Sequence, residues 1–500
     1  MSTSSSDTPS ATSPHITTCT GTSRTDPPPY PLITILGATG TGKSALAVSL
    51  ARRFNGEVIN ADAMQMYRGL PIITNKIRAD EQEGVRHHML DFIGLEESPW
   101  TVKQFVAAAK RKVDEIRRRG KLPIVVGGTG YYVHGLAMRG ALLGGTEEEE
   151  EAEKDEKEDK NGSDGDDRGA CGMVVEEMYA KLQELDPEMA RTWHPRDKRR
   201  IERSLEICLK TGRKASEWYK EQQAAKGEMM DASGGDGQEG LLGLQYDTLL
   251  LWLEAEDAVL KERLNARVDA MVRNGLFEEV LELHKEKQRF RRENVAVDKT
   301  KGIWQSIGYK ELELWATKAN PDADDHDPVH LNPSTKNSKL ATDSIEGVKA
   351  GTRQYAKRQN RYIRNRFASA LRQAGALDRL FLIDSTDISH WSETAVPQSE
   401  KLVSAFLEGR QLPDAATLSD LASTTFARIT TQDDWRSTRV AHYCDTCEKT
   451  LMGDKEWERH VTSRSHKNII QSQRKKAARD AFLAKRAALV RTEEAESRPP

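Results

Sequence analysis

Pro31-Leu32-Ile33-Thr34-Ile35-Leu36-Gly37-Ala38-Thr39-Gly40-Thr41-Gly42-Lys43-Ser44 is the first apolar stretch of the chain. Its first half has the apolar run of a buried strand, and apolar residues recur at helical spacing from Ser44 to Phe54. The part between matches G-x-x-x-x-G-K-[ST], a loop whose backbone N–H groups and helix N-terminus receive a polyphosphate. Lys43 adds a positive charge, and the Ser44 hydroxyl can hold Mg²⁺.

Strand and helix patterns alternate after this loop. Glu57–Ala61 and Leu122–Val126 have strand patterns, and Thr101–Arg119 between them has a helical one. A further strand is predicted over Gln245–Leu253, followed by one or two helices over Glu254–Phe290. This alternation predicts an α/β fold, in which a parallel sheet is covered by helices and interrupted by a helical insertion.

The composition sets limits on the class of protein. With 500 residues the chain is too long for a single small module, and a charged fraction of 31% predicts that part of it is solvated. No run approaches the ~18 apolar residues of a membrane span. Five cysteines are too few and too scattered for a disulfide framework, which favours a reducing compartment.

Shifts in composition divide the chain. Residues 147–167 carry thirteen Asp/Glu against three Lys, so this net charge of −10, taken from −3, leaves the rest at +7. The predicted parts are a disordered tail (1–30), the first part of a P-loop core (31–145), an acidic disordered insertion (146–168), a helical insertion (169–240), the second part of the core (241–408), a linker (409–438), a zinc finger (439–470) and a basic helical tail (471–500).

The loop lacks the usual partner of a phosphoryl-transfer enzyme. Such enzymes need an Asp at the end of a later apolar strand to position the metal ion. The candidate strand Ile124–Val126 runs instead into Gly127-Gly128-Thr129, and Asp91 is a weak substitute. The loop is therefore expected to hold a diphosphate that leaves, without transfer of a phosphoryl group.

Seven motifs occur in one order between residues 31 and 372. They are Gly37–Ser44; Asn60-Ala61-Asp62-Ala63-Met64-Gln65-Met66-Tyr67; His87-His88-Met89-Leu90-Asp91; Gly127-Gly128-Thr129-Gly130-Tyr131-Tyr132; His194-Pro195 with Arg199-Arg200-Ile201-Glu202-Arg203; Gly308-Tyr309; and Thr352-Arg353-Gln354-Tyr355-Ala356-Lys357-Arg358-Gln359. In the residues and the order of these motifs the chain resembles the tRNA dimethylallyltransferases. The resemblance implies transfer of a dimethylallyl group from dimethylallyl diphosphate to N6 of adenosine 37 in tRNAs reading codons that begin with U.

This chemistry needs a base and an anion cradle. Adenine N6 is a poor nucleophile, and an allylic diphosphate ionises once its leaving group is neutralised. The resemblance implies that Asp62 takes the N6 proton, that Thr129 lies beside the diphosphate and that Arg267 contacts it. From the residues alone, a turn Asp, a helix N-cap Thr and a solvated helix Arg are the alternatives.

A target base beside the anticodon must leave its stack, so the protein has to grip a deformed loop. Residues 352–377 contain seven Lys/Arg and no acid, and residues 357, 361 and 364 share one helical face. The resemblance implies an anticodon stem-loop held by Asp62, Ala63, Met64, Gln65, Arg199, Arg200, Ile201, Glu202, Arg203, Gln305, Tyr309, Arg353, Lys357, Arg358 and Arg361.

The C-terminal part contains a metal pattern. Cys444, Cys447, His460 and His466 have the spacing C-x2-C-x12-H-x5-H, which lets two thiolates and two imidazoles close a tetrahedron around Zn²⁺. Basic groups such as Arg474-Lys475-Lys476 follow. We expect a structural zinc finger that grips the body of the tRNA, similar to the fingers of eukaryotic members of the family.

Other functions stay open at this point. A nucleotide kinase or NTPase with an RNA-binding finger would share the loop, and so would the related enzymes that prenylate free adenine nucleotides. A pure zinc-finger protein leaves the upstream motifs unexplained, whereas a catalytically inactive RNA-binding protein fits them. We expect a monomer without membrane association, cytoplasmic with nuclear and mitochondrial pools, and with Mg²⁺ and Zn²⁺ as cofactors.

Overall fold

A computed structural model describes residues 27–139, 173–221, 243–295, 298, 301–319, 338–431, 441–447 and 449–496. Six parallel strands form the main sheet in the spatial order β3-β2-β4-β1-β5-β6. They are β1 (Pro31–Gly37), β2 (Gly56–Asn60), β3 (His87–His88), β4 (Leu122–Val126), β5 (Asp247–Glu254) and β6 (Leu380–Asp384).

Helices connect and cover these strands. The core helices are α1 (Lys43–Arg53), α2 (Val102–Arg118), α3 (Gly130–Ala137), α7 (Asp257–Arg273), α8 (Leu276–Arg292), α9 (Tyr309–Ala319), α10 (Lys339–Tyr362), α11 (Ala368–Gln373), α12 (Ala395–Leu407) and α13 (Asp420–Thr431). The insertion contains α4 (Val175–Leu185), α5 (Pro187–Thr192) and α6 (Lys198–Thr211). The α/β fold and the parallel sheet that the sequence predicts are confirmed.

The central strands are buried on both faces, which explains their continuous apolar sequences. Strand β5 contributes a run of fully buried side chains over Leu249–Leu253. It pairs with β1 over the whole of Pro31–Gly37, and β1 pairs on its other side with β4. Because all six strands are parallel, the loops after β1, β2, β4 and β5 meet at one edge of the sheet.

The helical insertion has a small core of its own. Met178 and Leu182 of α4 pack against Ile201 and Leu205 of α6, and all four are fully buried. Asp186 is also fully buried, and its carboxylate accepts hydrogen bonds from the Met189 and Ser216 backbone amides at 3.1 and 2.7 Å. The apolar contacts join α4 to α6, and the satisfied carboxylate joins the start of α5 to a further helical segment at 215–221.

Helix α10 continues into a π-helical turn, Ile363–Phe367, before α11 begins. Arg364 is half-buried and pairs with Glu254 at 2.7 Å, the same carboxylate that Asn360 contacts one turn earlier. Lys357 and Arg361 are exposed. The prediction that residues 357, 361 and 364 share one face is wrong for Arg364.

The predicted linker 409–438 is also wrong over much of its length. Helix α13 lies within it, and Phe426 and Ile429 of α13 are buried in the main core. Arg372 donates hydrogen bonds to the carbonyls of Ile429 and Thr430 at 3.2 and 3.3 Å. The core therefore extends at least to the end of α13, and residues 432–438 lie outside the described part.

The C-terminal segment contains the hairpin β7 (Ala441–Cys444) and β8 (Lys449–Met452), then α14 (Asp454–Thr462) and α15 (Arg464–Glu496). Helix α15 runs through residue 470 without a break, so the predicted finger and helical tail share one helix. The predictions for residues 1–26 and for the acidic insertion 146–168 fall outside the described residues. None of the helices that the structure describes is both long and apolar enough to cross a membrane.

Candidate active site

The G-x-x-x-x-G-K-[ST] segment forms a loop between β1 and α1, as predicted. The Ala38 carbonyl accepts hydrogen bonds from Thr41 Oγ1 at 2.8 Å and from Lys43 Nζ at 2.6 Å, which folds the loop onto itself. Gly42 has a φ of +88° and lies against the Trp391 ring, which would be 3.0 Å from an added Cβ. A side chain at this position would be strained in backbone and in packing. We refer to residues 37–44 as the P-loop.

Asp62 lies just beyond the end of β2 in a turn built by Asn60. The Asn60 Nδ2 donates to the Asp62 and Met89 carbonyls at 3.1 and 2.9 Å, and its Oδ1 accepts from the Asp62 amide at 3.3 Å. The Asp62 Oδ1 accepts from the Met64 amide at 3.0 Å. Both ends of the turn are therefore fixed, and one carboxylate oxygen is held by the backbone.

Three charged groups interact at the mouth of the P-loop. Burial raises the pKa of Asp62 above its ordinary 3.8, although the charges of Lys43 and Arg267 oppose this shift. Burial also lowers the pKa of Lys43 to about 8 and that of Arg267 to about 10, against the attraction of Asp62. Two cations and one carboxylate leave a site of net charge +1 that attracts an anion.

Thr129 comes from the loop after β4 and supports the Asp62 turn. It is 4% exposed, and its Oγ1 accepts a hydrogen bond from the Ala63 amide at 3.0 Å. Thr129 does occupy the N-cap position of α3, but its side chain makes no capping hydrogen bond to that helix. Thr129 therefore joins the loops after β2 and β4.

Two buried charged residues, Glu279 and Lys76, hold the segment that follows Asp62 in place. Gln65 Nε2 donates to the Asn75 carbonyl at 3.3 Å, and Glu279 of α8 accepts from the Ile72 and Ile73 amides at 3.0 and 2.6 Å. Lys76 is 8% exposed and pairs with Asp91 at 2.6 Å. Because Asp91 is engaged with Lys76, the structure gives no support to it as a metal-organising carboxylate at the P-loop.

A buried glutamine that the sequence analysis did not single out lies between two of these loops. Gln359 of α10 is 5% exposed, and its Oε1 accepts from the Thr39 amide at 2.8 Å. Its Nε2 donates to the Gly128 carbonyl at 2.9 Å. Gln359 is the last residue of the seventh motif, which could have marked it as functional. Its position as a polar residue in a basic helix, however, gives no indication that its side chain is buried.

The residues expected to hold RNA do not all face solvent. Ile201 and Tyr309 are fully buried, and the Tyr309 hydroxyl contacts His284 Nδ1 at 3.3 Å. As side-chain contacts to RNA, these two predictions are wrong, because both residues belong to apolar cores. Lys357, Arg361 and Gln305 are exposed.

Other members of the predicted set are partly engaged within the protein. Arg200 lies over the Trp193 ring at 5.0 Å and pairs with Asp197, and Arg203 pairs with Glu206 at 3.3 Å. Arg353 donates to Asn265, and Arg358 lies 5.8 Å from the Tyr355 ring centroid. These contacts orient the guanidinium groups and leave some of their donors for a ligand. The side chain of Arg199 is outside the description.

The predicted zinc ligands come together. The ligand atoms of Cys444, Cys447, His460 and His466 all lie within 4.8 Å of one another. His466 Nδ1 is 3.2 Å from Cys447 Sγ and 3.6 Å from Cys444 Sγ, close to the separations of about 3.3–3.8 Å expected around one Zn²⁺. His460 Nε2 is buried and without a hydrogen-bond partner among the described residues, as a metal ligand would be. The four side chains therefore fit a zinc site.

Known proteins resemble the chain over most of its length. Residues 65–366 match the IPP transferase family. The tRNA dimethylallyltransferase of Mus musculus is 35% identical over 89% of this chain and 87% of its own length. That of Schizosaccharomyces pombe is 34% identical over 91% of this chain and 98% of its own length.

A solved structure agrees with these matches. It is described as a eukaryotic dimethylallyltransferase acting on tRNA, and it is 29% identical in sequence with a TM-score of 0.66. The similarity covers 90% of this chain and 99% of that one. A shared sequence and a shared fold over nearly the whole of both proteins show that this chain belongs to the tRNA dimethylallyltransferase family.

Proposed function

We propose that this protein transfers the dimethylallyl group of dimethylallyl diphosphate to N6 of adenosine 37 in tRNAs that read codons beginning with U. The products are N6-isopentenyladenosine and diphosphate. Membership of the family supports the reaction class. The observation that carries the proposal is the meeting of Asp62 with Lys43 and Arg267 at the P-loop. A proton acceptor and a cationic cradle are what this chemistry requires.

The diphosphate of the donor binds to the P-loop. The backbone amides from Gly40 to Ser44 and the start of α1 receive the diphosphate, whereas the Thr39 amide is already engaged by Gln359. Lys43 and Arg267 neutralise the charge that develops on the diphosphate oxygen as the allylic C–O bond breaks. Burial lowers the pKa of Lys43 to about 8, so part of this lysine would be neutral near that pH. A bound diphosphate favours the charged form and keeps Lys43 protonated.

Asp62 takes the proton from the nucleophile. As the new C–N bond forms at N6, a proton leaves that nitrogen for the carboxylate. The Met64 amide donates to Oδ1 and the Gln65 amide also interacts with the carboxylate, and these backbone contacts orient it toward the substrate. Burial raises the pKa of Asp62 and so makes the carboxylate a stronger base than an exposed aspartate. Thr129 keeps the turn in place through its hydrogen bond from the Ala63 amide.

Ser44 is the residue that would hold Mg²⁺. Asp91, the other candidate, is paired with Lys76, and Mg²⁺ often takes most of its ligands from phosphate and water. When bound, the ion supplies positive charge to the diphosphate. The pairing of Asp91 weakens the kinase and NTPase alternatives, for which Asp91 was the candidate metal-organising carboxylate.

We infer that the tRNA is held by the Asp62–Gln65 turn, the insertion, α10 and the zinc finger. The anticodon loop meets the Asp62–Gln65 turn, the insertion and the outer face of α10. The residues proposed for contact are Asp62, Ala63, Met64, Gln65, Arg199, Arg200, Glu202, Arg203, Gln305, Arg353, Lys357, Arg358 and Arg361. The zinc finger, closed by Cys444, Cys447, His460 and His466, grips the tRNA body. We further infer that the protein acts as a cytoplasmic monomer, with nuclear and mitochondrial pools.

The test is a transfer assay with labelled dimethylallyl diphosphate. The acceptors are an anticodon stem-loop with adenosines at positions 36–38, the same stem-loop with guanosine at 37, AMP and ATP. We expect label on the first stem-loop alone. Label on AMP or ATP would establish the nucleotide-prenylating alternative, and phosphate release from ATP without label transfer would establish an NTPase.

A further inference from the structure

Helix α10 enters the site with a polar inner face. Gln359 and Asn360 are 5% and 6% exposed, and Ala356 lies in a buried cluster with Ala38 of the P-loop. The exposed side chains Lys357 and Arg361 lie on the opposite side of the same helix. One helix therefore presents cations outward and contacts the P-loop with its inner face.

The Gln359 side chain connects two loops that the chain builds far apart. Its Oε1 accepts from Thr39 in the P-loop, and its Nε2 donates to Gly128 after β4, at 2.8 and 2.9 Å. An amide N–H needs an acceptor and a carbonyl needs a donor, so these two partners fix the orientation of the carboxamide. A glutamine meets both needs with one side chain, whereas a carboxylate or an ammonium meets one.

The loop after β4 also contacts the turn that holds Asp62, the proposed proton acceptor. Gly128 precedes Thr129, whose Oγ1 holds the Ala63 amide next to Asp62. An added Cβ on Gly128 would overlap Gln359 Nε2 and lie 3.4 Å from Asp62 Oδ2. Gly128 therefore lies between the Gln359 carboxamide and the Asp62 carboxylate, close to both. A shift of Gln359 would change the distance between the P-loop and Asp62.

We propose that Gln359 is a positioning residue that fixes the separation between the diphosphate on the P-loop and the proton acceptor Asp62. It touches neither substrate, and it acts through Thr39 on one side and through Gly128 and Thr129 on the other. Positioning of reacting groups contributes strongly to rate, and an error of about 1 Å can cost roughly a hundredfold. This inference rests on the proposed function, because it takes Asp62 as the base.

The experiment compares Q359M, Q359E and, as a control, Q373M in the full chain. Methionine keeps the length of the side chain and removes both hydrogen bonds. An ionised glutamate keeps the acceptor for Thr39 and loses the donor for Gly128, whereas a protonated one keeps both, so Q359E is compared with wild type from pH 6 to pH 9. Gln373 is exposed at the end of α11, so its replacement tests the chemistry of the substitution without the contacts.

Three quantities are measured: the single-turnover rate at saturating stem-loop and dimethylallyl diphosphate, the Kd of inorganic diphosphate and the Kd of the stem-loop. For Q359M we expect a rate at least tenfold lower, diphosphate binding three- to tenfold weaker and stem-loop binding within twofold of wild type. For Q359E we expect the rate loss with diphosphate binding within threefold of wild type. Q373M should match wild type in all three.

A purely structural role gives a different pattern. Loss of stem-loop binding in parallel with rate, or a Q359M rate within twofold of wild type, overturns the proposal. Should Q359M fail to fold, Q359E decides by itself: a rate equal to that of wild type at every pH from 6 to 9 refutes the role of Gln359. If the wild-type protein transfers no label, it is the proposed function that fails and not the role of this residue.

Discussion

Replacing Asp62 with asparagine removes the base while keeping its shape. The amide oxygen can still accept from the Met64 amide, so the turn after β2 should persist. Loss of a general base typically lowers the rate by about 10²–10⁴, which corresponds to roughly 2.7–5.5 kcal/mol of transition-state stabilisation. We expect a loss of this size in the single-turnover rate of D62N, with stem-loop binding changed little.

The same substitution has an opposite effect on the leaving group. Removing the carboxylate changes the site from +1 to +2, and a charge pair in such a site is worth about 1 kcal/mol or more, so diphosphate should bind roughly fivefold tighter at pH 6.5. Asp62 also raises the pKa of Lys43, which burial lowers to about 8. Without Asp62 that pKa falls further, so the gain should shrink by pH 8.5 as Lys43 loses its proton.

Label transfer and calorimetry with inorganic diphosphate measure the two effects. The matched control is D343N, at an exposed aspartate of α10, which should behave as wild type. In the wild type the rate should fall as the pH falls through the raised pKa of Asp62, and D62N should lack this limb. A D62N rate within threefold of wild type would refute the assignment of the base. Weaker diphosphate binding would show that Asp62 assists the anion instead of opposing it.

Three further changes test other parts of the structure. R267A should weaken diphosphate binding about 10–100-fold, since a buried charge-assisted contact is lost, whereas R273A at the end of α7 should not; equal affinities would remove Arg267 from the cradle. C444S should release zinc and weaken tRNA binding, yet leave the rate at saturating tRNA within twofold; an unchanged Kd would separate the finger from RNA. For Glu57, burial alone would raise the pKa, but hydrogen bonds from Arg119 and His88 lower it to about 2, so its stabilisation is present above pH 4.5 and is lost as the pH falls towards 2. E57Q should therefore cost about 1–2 kcal/mol at pH 7, a value reduced because Arg119 and Lys121 are more than one-third exposed. The difference in Tm from wild type should shrink below pH 4.5 and disappear only towards pH 2, and a constant difference would contradict this.

The sequence predicts best the elements whose residues are all buried to a similar degree. Strands β1, β4 and β5 are buried on both faces, so their apolar runs mark them directly. Asp62 and Thr129 follow such strands, and parallel strands bring their carboxyl ends to one edge. The strand order itself was not predictable, because it depends on how distant segments pair.

The misassigned residues depend on tertiary contacts. Helical spacing groups Arg364 with Lys357, but it does not reveal the buried Glu254 carboxylate of β5 with which Arg364 pairs. A motif also says which residues are present but not which way they face, and Tyr309 lies inside the core. The threonines and serines of α13 hide the apolar positions that pack on the sheet, so its sequence resembles that of a linker.

The hydrogen bond between Thr39 and Gln359 joins residues 320 positions apart. During synthesis at about 5–20 residues per second, the loop after β1 leaves the ribosome roughly 15–60 s before its helical partner is made. Until then α10 and all later elements, including the edge strand β6 and helix α13, are missing, so the β5 edge of the sheet and the apolar surface that these elements cover stay exposed. A nascent chain that stalls before residue 359 should therefore be unable to capture diphosphate, and it should depend on chaperones to avoid aggregation.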